Sequence, residues 1–339
     1  MSYLDLSILE IHKAIIEGKV TPLDLVKESL KRAKEDDNNA FEYICEKEAL
    51  EEVNKLDPNK KDSLLFGIPF VGSDVLPSAI AQDKITQKEI FECEELPITE
   101  YIWFYDSEWN DDKETIIEKI EKKVKYPVIV KPATLGSSVG IKSCNNREEL
   151  IKAVDGAIEF DTKIVVEEKV ENLTEVNISV LGNYENQNLS EIEQVYTDND
   201  LLTYEDKYIG GGKKGGIKSK GMANAQRKIP ADISEKMRTE VENVARRAFV
   251  ACNLSGNVRI DFLINEKNKK VYINEINSCP GSLAFYLWDP KGKDFTKLLD
   301  DMISVGIKDY KKRTNKTHSF ETNILKGFNG LKGAKGKLK

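Results

Sequence analysis

Four side chains near the C-terminal end of the chain could do charge chemistry together: Arg259, Asp261, Glu275 and Asn277, all within VRIDFLINEKNKKVYINEINSCPG, residues 258–281. Two runs rich in Val, Ile, Phe and Tyr flank a charged break from Asn265 to Lys270, the pattern of a hairpin with a longer turn. Side chains on a strand alternate between its faces. Arg259 and Asp261 therefore share one face of the first strand, while Val258, Ile260, Phe262 and Ile264 share the other. On the second strand Glu275 and Asn277 share a face. Asp261, Glu275 and Asn277 can thus converge as oxygen donors to a hard cation. Magnesium is commonly bound in this way, through one or two carboxylates plus nucleotide phosphates. An ordinary solvated hairpin is the competing reading of these residues taken alone.

A second stretch bears on that choice. Tyr126 to Ile141 reads YPVIVKPATLGSSVGI. The apolar run Val128, Ile129, Val130 reads as a strand that delivers Lys131, and the loop Gly136-Ser137-Ser138-Val139-Gly140 follows. Small residues let backbone N–H groups approach phosphate oxygens, and a lysine at the strand end adds positive charge. No GK[ST] follows, so this is not a Walker loop, and the spacing is not that of a dinucleotide-binding GxGxxG turn.

The elements that must position these residues lie in a chain of 339 residues, long enough for two or three domains. A hydrophobic content of 40% fits a soluble globular protein, and a formal charge of −7 argues against a general nucleic-acid binder. Cys45, Cys93, Cys144, Cys252 and Cys279 are odd in number and widely spaced, which reads as reduced thiols in a cytoplasm. His12 and His318 lie far apart, so histidine general-base chemistry is not expected. No apolar run approaches the roughly 18 residues of a membrane helix, and no secretory signal opens the chain. A cytoplasmic location without membrane or nucleic-acid partners is the expectation.

Residues 1–62 read as helices. Ser7 and Glu10 have the spacing of a capping box and Gly18 suits a C-terminal stop. Thr21 can cap a second helix with Pro22 in its first position, and a third is expected from Glu46 to Leu56. LSILEIHKAIIEGKVTPLDLV, NNAFEYI and LLFGIPF resemble the N-terminal helices of amidase-signature enzymes, over about the first 70 residues. Those enzymes carry a lysine three residues beyond GIPF. Ser73 stands there, so amide hydrolysis is not supported.

From Gly67 the text changes. One helix is expected from Pro77 to Cys93 with Lys84 inside it, then a strand from Thr99 to Phe104 and a charged helix from Asp112 to Val124. Beyond the Lys131 loop come a helix at Asn145 to Phe160, strands at Lys163 to Glu168 and Val176 to Gly182, and helices at Ala231 to Cys252 and Phe295 to Ile307. With the hairpin, this order resembles an ATP-grasp ligase, and within that fold the D-alanine–D-alanine ligases. The resemblance rests on GIPFVGSDV, AQDK, PVIVKPATLGSSVGI, EEKV with Glu175, YEDKY, VRIDF and NEINSCPGS, and runs from about Gly67 to about Ile307.

It implies an α+β ATP-grasp fold: a small central α/β subdomain and a C-terminal antiparallel-sheet domain, preceded here by a helical segment. The expected divisions are 1–66 (helical), 67–162 (central subdomain with linker helices), 163–310 (catalytic domain) and 311–339 (basic Gly/Lys-rich tail). It further implies an ATP-dependent ligase that makes a dipeptide through an acyl phosphate, in cell-wall peptidoglycan biosynthesis. Lys84, Lys131 and Lys207 would bind nucleotide phosphates under the loop containing Gly136 and Ser138. Glu168, the backbone near Val170, and Glu175 would hold adenine and ribose. Asp261, Glu275 and Asn277 would bind two magnesium ions, or manganese, and Arg259 would stabilise the oxyanion. Ser137 and Tyr208 would join a hydrogen-bonded network. Gly281, Tyr286 and Leu287 would face the second substrate. The partners implied are ATP and small amino acids, and a homodimer is left open.

Residues 207–228, KYIGGGKKGGIKSKGMANAQRK, hold many basic residues and no acidic one. A lid over phosphates is the first reading, a surface insertion and a nucleic-acid contact the others. Two departures from the family pattern bear on substrate. No early-loop glutamate for the first substrate's ammonium can be transferred, since Glu10, Glu17 and Glu28 read as solvated helix residues. Tyr286 stands where the family usually has a small hydroxyl residue before a leucine. An active dipeptide ligase, a ligase for another amino acid or peptide acceptor, and a nucleotide-binding non-enzyme with a helical interaction module are the three readings left.

Overall fold

The computed structural model describes residues 2–35, 46–54, 69–136, 139–196 and 227–316. Ser137, Ser138, Lys207, Tyr208, most of the basic glycine-rich loop and the tail from residue 317 lie outside the described residues. The chain divides into two compact units, residues 1–69 with 310–339, and residues 70–309.

The first unit holds helices α1 (Ile8–Ile16), α2 (Pro22–Lys34) and α3 (Glu46–Val53). Both expected starts form: the Ser7 and Glu10 capping box opens α1, and Thr21 caps α2 with Pro22 at its first position. Surface ion pairs such as Arg32–Asp5 at 2.9 Å and Lys34–Glu46 at 2.7 Å lace the helices. Exposed pairs of this kind contribute little to stability, because water screens them.

In the second unit, the expected single helix at Pro77 to Cys93 is two: α4 (Val75–Gln82) and α5 (Lys84–Cys93). Asp83 breaks the run in an extended conformation, and its carboxylate accepts from the N–H groups of Ile85 and Thr86. Aspartate is a strong N-cap because it satisfies donors that the first turn leaves unpaired. Lys84 therefore opens a helix instead of lying inside one.

A four-stranded antiparallel sheet follows, in the order β1 (Tyr101–Tyr105), β4 (Lys163–Glu168), β2 (Val128–Pro132), β3 (Lys142–Cys144). The acidic linker after β1 is itself helical, α6 (Asp106–Asp111), and leads into α7 (Lys113–Lys123). These helices and α8 (Arg147–Ala157) cover one face, where Val128, Val130, Ile164 and Val166 meet Ile117, Ile120, Leu150 and Trp109. By alternation the other face carries Ile129, Lys131, Val165 and Glu167. Because β4 pairs with both β1 and β2, the strand beginning at Lys163 belongs to this first sheet, and the expected division after residue 162 cuts through it.

The second sheet is also antiparallel. It comprises β5 (Leu173–Asn183), β6 (Asn186–Leu189), β7 (Glu193–Val195), β8 (Arg227–Lys228), β9 (Gly256–Asn265) and β10 (Lys270–Asn277). Its order is β10-β9-β5-β7-β8, with β6 pairing β5. One face is largely apolar: Val176, Ile178, Val180, Val258, Ile260, Phe262, Ile264, Ile273 and Ile276 pack with α9 (Glu235–Ala251) and Phe91 of α5. Beyond β10, a short 3-10 segment (Gly281–Leu287) leads to α10 (Phe295–Thr314). Among the described residues no helix is long and apolar enough to cross a membrane.

Candidate active site

The opposite face of the second sheet is polar, and its register sets the site. Glu275 of β10 lies across from Asp261 of β9, which lies across from Asn177 of β5, which lies across from Glu193 of β7. In the adjoining row stand Asn277, Arg259 and Ser179. A bulge makes the β10 side of this possible. The pairing steps from Ile273 opposite Phe262 to Glu275 opposite Asp261, so Asn274 is an extra residue. Strict alternation from the buried Ile273 would have turned Glu275 into the core. The extra residue lets Ile273 and Ile276 both stay buried while Glu275 and Asn277 face the site.

Arg259 grips Asp261 with both arms of its guanidinium, at 2.7 Å from Nε to Oδ1 and 2.8 Å from Nη2 to Oδ2. Asn277 Nδ2 donates to the same Oδ2 at 3.1 Å. Burial opposes the Arg259 charge, but Asp261 beside it outweighs that and raises its pKa above the ordinary arginine range. The expected trio of oxygen-bearing side chains is thus in one place. Among the described residues no three His, Cys, Asp or Glu side chains gather as a self-sufficient metal cage. Two carboxylates and an amide are what magnesium takes when phosphates complete its shell, so the donor set fits a nucleotide-bound divalent cation.

Two lysines reach this row from elsewhere in the unit. Lys84, at the first position of α5, donates from Nζ to the Leu135 carbonyl at 2.5 Å and lies 3.5 Å from Glu275 Oε2. Its backbone N–H donates to Ala133 O at 3.0 Å, tying the helix start to the loop after β2. Gln87, one turn on, accepts from the Ile276 N–H at 2.8 Å and locks α5 against the bulged strand. Lys131, from β2, donates to Asn274 Oδ1 at 3.2 Å. Its charge is balanced by Glu167, which is 2% exposed and also pairs with Lys88 at 2.7 Å. Burial, reinforced by the Lys88 cation, pushes Lys131 down to about 7. Such an ammonium gains from any further anion placed beside it.

Glu175 points to the polar face, two residues from Asn177 on β5, and its charge acts on Lys131. Glu168 ends β4 with an exposed side chain, and Val170 is buried beyond it. A Cβ added at Gly136, in the loop after β2, or at Gly281, at the start of the 3-10 segment, would meet no atom within 4 Å among the described residues beyond its chain neighbours. Leu287 has a fully buried side chain, and its carbonyl accepts from the Glu191 N–H at 2.9 Å. Tyr286 reaches the polar face, where its hydroxyl donates to Glu193 Oε1 at 3.1 Å.

Glu167, Lys88, Gln87, Asn177, Glu193 and Arg227 were not singled out from the sequence. Period-two reading of β5 places Asn177 beside Glu175, a usable signal. The strands bearing Glu193 and Arg227 are only three and two residues long, too short for periodicity to reveal them. A cavity of about 400 Å³ is lined by Ser278 and Cys279, directly after Asn277, and by Ser73, Asn257, Leu283 and Met302 among others.

Comparison with known proteins places these features in a family. Residues 90–304 match the family model described as "D-ala D-ala ligase C-terminus". A D-alanine–D-alanine ligase of Thermosipho africanus is 35% identical over 260 residues, covering 77% of this chain and 67% of that protein. One from Macrococcus caseolyticus is 38% identical over 268 residues, covering 76% of this chain and 71% of the relative. The chain thus spans about two thirds of the length of these relatives. Among solved structures, the D-alanine-D-alanine ligase from Coxiella burnetii superposes with a TM-score of 0.60 at 24% identity, over 75% of this chain and 66% of that one. The VanG D-Ala:D-Ser ligase from Enterococcus faecalis gives a TM-score of 0.59 at 24% identity, over 72% and 69%. At that identity the superpositions speak for the ATP-grasp fold.

Proposed function

This chain belongs to the D-alanine–D-alanine ligase family, and we propose that it uses ATP to join the carboxylate of one amino acid to the amine of a second. The observation that carries the proposal is the convergence of Lys84, Lys131, Asp261, Glu275, Asn277 and Arg259 on one polar face. Two cations beside an oxygen-donor set are what a nucleotide's phosphates and their divalent cation require.

In this reading Lys84 and Lys131 hold the phosphates, and Asp261, Glu275 and Asn277 hold the metal, two magnesium ions being the family's number. When bound, the metal neutralises charge that builds on the transferring phosphoryl group. The first substrate's carboxylate oxygen attacks the γ-phosphorus and ADP departs. The second substrate's amine then attacks the acyl carbon and phosphate departs as the amide forms. Arg259, held flat by its two bonds to Asp261, is a fixed donor for the oxyanion of that second step. Such preorganised donors need no reorientation as charge develops. Glu175 is assigned to the ribose, and Glu168 with the backbone near Val170 to the adenine. Residues 1–66 are proposed to be a helical appendage outside the catalytic unit.

The test is phosphate release from ATP, screened over D- and L-amino acids singly and in pairs. Release with D-alanine alone supports a D-alanyl-D-alanine product. Release only with other amino acids supports a different acceptor, as in the D-Ala:D-Ser relative. Nucleotide binding with no release under any pair overturns the ligase reading.

A further inference from the structure

Glu193, Arg227 and Tyr286 meet on the polar face beside the catalytic row, outside both the phosphate and the metal-ligand sets. Glu193 is 1% exposed, and a carboxylate so buried is costly unless its oxygens are matched. Asn177 Nδ2 donates to it at 3.0 Å, the Tyr286 hydroxyl at 3.1 Å, and Arg227 Nη1 lies 3.6 Å from its second oxygen. Arg227 also lies over the Tyr286 ring, 4.1 Å from its centroid. The guanidinium is thereby held by charge from one neighbour and by the ring's negative face from the other. The Tyr286 hydroxyl is committed to Glu193, and the Leu287 side chain is buried with its carbonyl taken by Glu191. What this segment offers a ligand is a platform that aims Arg227.

We propose that Arg227 binds and orients the acceptor by taking the carboxylate of the amino acid whose amine attacks, with Glu193 and Tyr286 as its positioning residues. The proposal rests on the ligase reading above. It assigns a planar, always-charged fork to a planar anion, the pairing that guanidinium geometry favours. Glu193 lies across from Asn177, which lies across from Asp261, so the partner of Arg227 and the partner of Arg259 stand in one row of the polar face.

The experiment uses the full chain and the amino-acid pair that releases phosphate fastest in the screen. Arg227→Met raises the acceptor KM by about ten- to a hundredfold, the loss expected for a charged hydrogen bond, with little change in the donor KM. Arg227→Lys, which keeps the charge but not the fork or the stack, falls between. Tyr286→Phe, which keeps the ring under Arg227, loses less than Tyr286→Ala. An unchanged acceptor KM in Arg227→Met, or a rise shared equally by the donor, overturns the assignment and leaves the ligase reading standing. Loss of nucleotide affinity in both Arg227 variants marks a structural role and also overturns it. Absence of amino-acid-dependent release by the unaltered protein overturns both.

Discussion

Lys84 Nζ stands 3.5 Å from Glu275 Oε2, joining the AQDK segment to the NEIN segment across the whole catalytic unit. Both side chains are largely shielded, at 10% and 24% exposed, so the attraction is little screened. Each also has a separate task in the proposed mechanism, which separates their variants. Glu275→Gln lowers turnover by about a hundredfold or more and weakens the response to magnesium, because an amide is a poorer ligand for a hard cation. Lys84→Met raises the ATP KM by about tenfold or more through loss of a charge-assisted contact. Steady-state kinetics at varied magnesium and ATP check both. Unchanged turnover in Glu275→Gln would defeat the metal assignment.

Lys131 makes nucleotide binding pH-dependent. Burial and the Lys88 charge hold it down to about 7 in the free protein. A phosphate beside it favours the ammonium and raises that pKa. Binding therefore takes up protons where the free lysine is partly neutral, and affinity falls as pH rises above about 7. Calorimetry of a non-hydrolysed ATP analogue at pH 8, in buffers of different ionisation enthalpy, should show net proton uptake of up to about one per site. Lys131→Met abolishes most of that uptake along with much of the affinity; equal enthalpies in all buffers for the unaltered chain would contradict it.

The bulge at Asn274 invites a deletion. Removing Asn274 takes out the extra residue, so Glu275 follows Ile273 directly and regular alternation keeps Glu275 and Asn277 on the site face and Ile276 in the core. The expected result is a chain that folds, keeps these side chains on the site face and retains measurable turnover, having lost the contact of Asn274 with Lys131 and the local twist of the bulge. Asn274→Ala keeps the register and loses only the 3.2 Å contact with Lys131, so it should fold and retain measurable activity. Loss of folding or of all turnover in the deletion variant, with Asn274→Ala active, would show that the bulge shapes the site beyond accommodating one extra residue.

Gly256, at the start of β9, has φ +82°, and a Cβ there would come within 2.6 Å of Gly72 Cα and 3.0 Å of Gly72 N. Backbone cannot yield as a flexible side chain can. Gly256→Ala combines a left-handed conformation with overpacking and should lose about 2 kcal/mol or more. Urea unfolding should show a lower midpoint at unchanged slope. A midpoint within error of the unaltered chain would mean that the GIPFVGSDV turn and β9 pack less closely than they do here.

Much of the site could be read before any coordinates because strand periodicity is local. Val258, Ile260, Phe262 and Ile264 are buried while Arg259 and Asp261 face the site, as alternation dictates. The Ser7 and Thr21 helix starts were legible for the same reason, since a cap acts within one turn. The single helix expected over Pro77 to Cys93 was wrong at a residue that propensity undervalues: Asp83 can sit in a helix, but here it caps the next one. That one break moves Lys84 to a helix start, where it meets Leu135 and Glu275.

The sequence by itself determined which chemistries were available: a lysine before a small-residue loop, suited to phosphate, and two carboxylates with an amide on a hairpin. These depend on residue type and on periodicity over a few positions, which the chain carries locally. Only the tertiary structure decided which charges face which. Glu167 became the shared counter-charge of Lys88 and Lys131, Gln87 the lock on a bulged strand, and Glu193 with Tyr286 the support of Arg227. Pairings of this kind are set by strand order and burial, and a buried charge takes whichever partner the fold brings within reach.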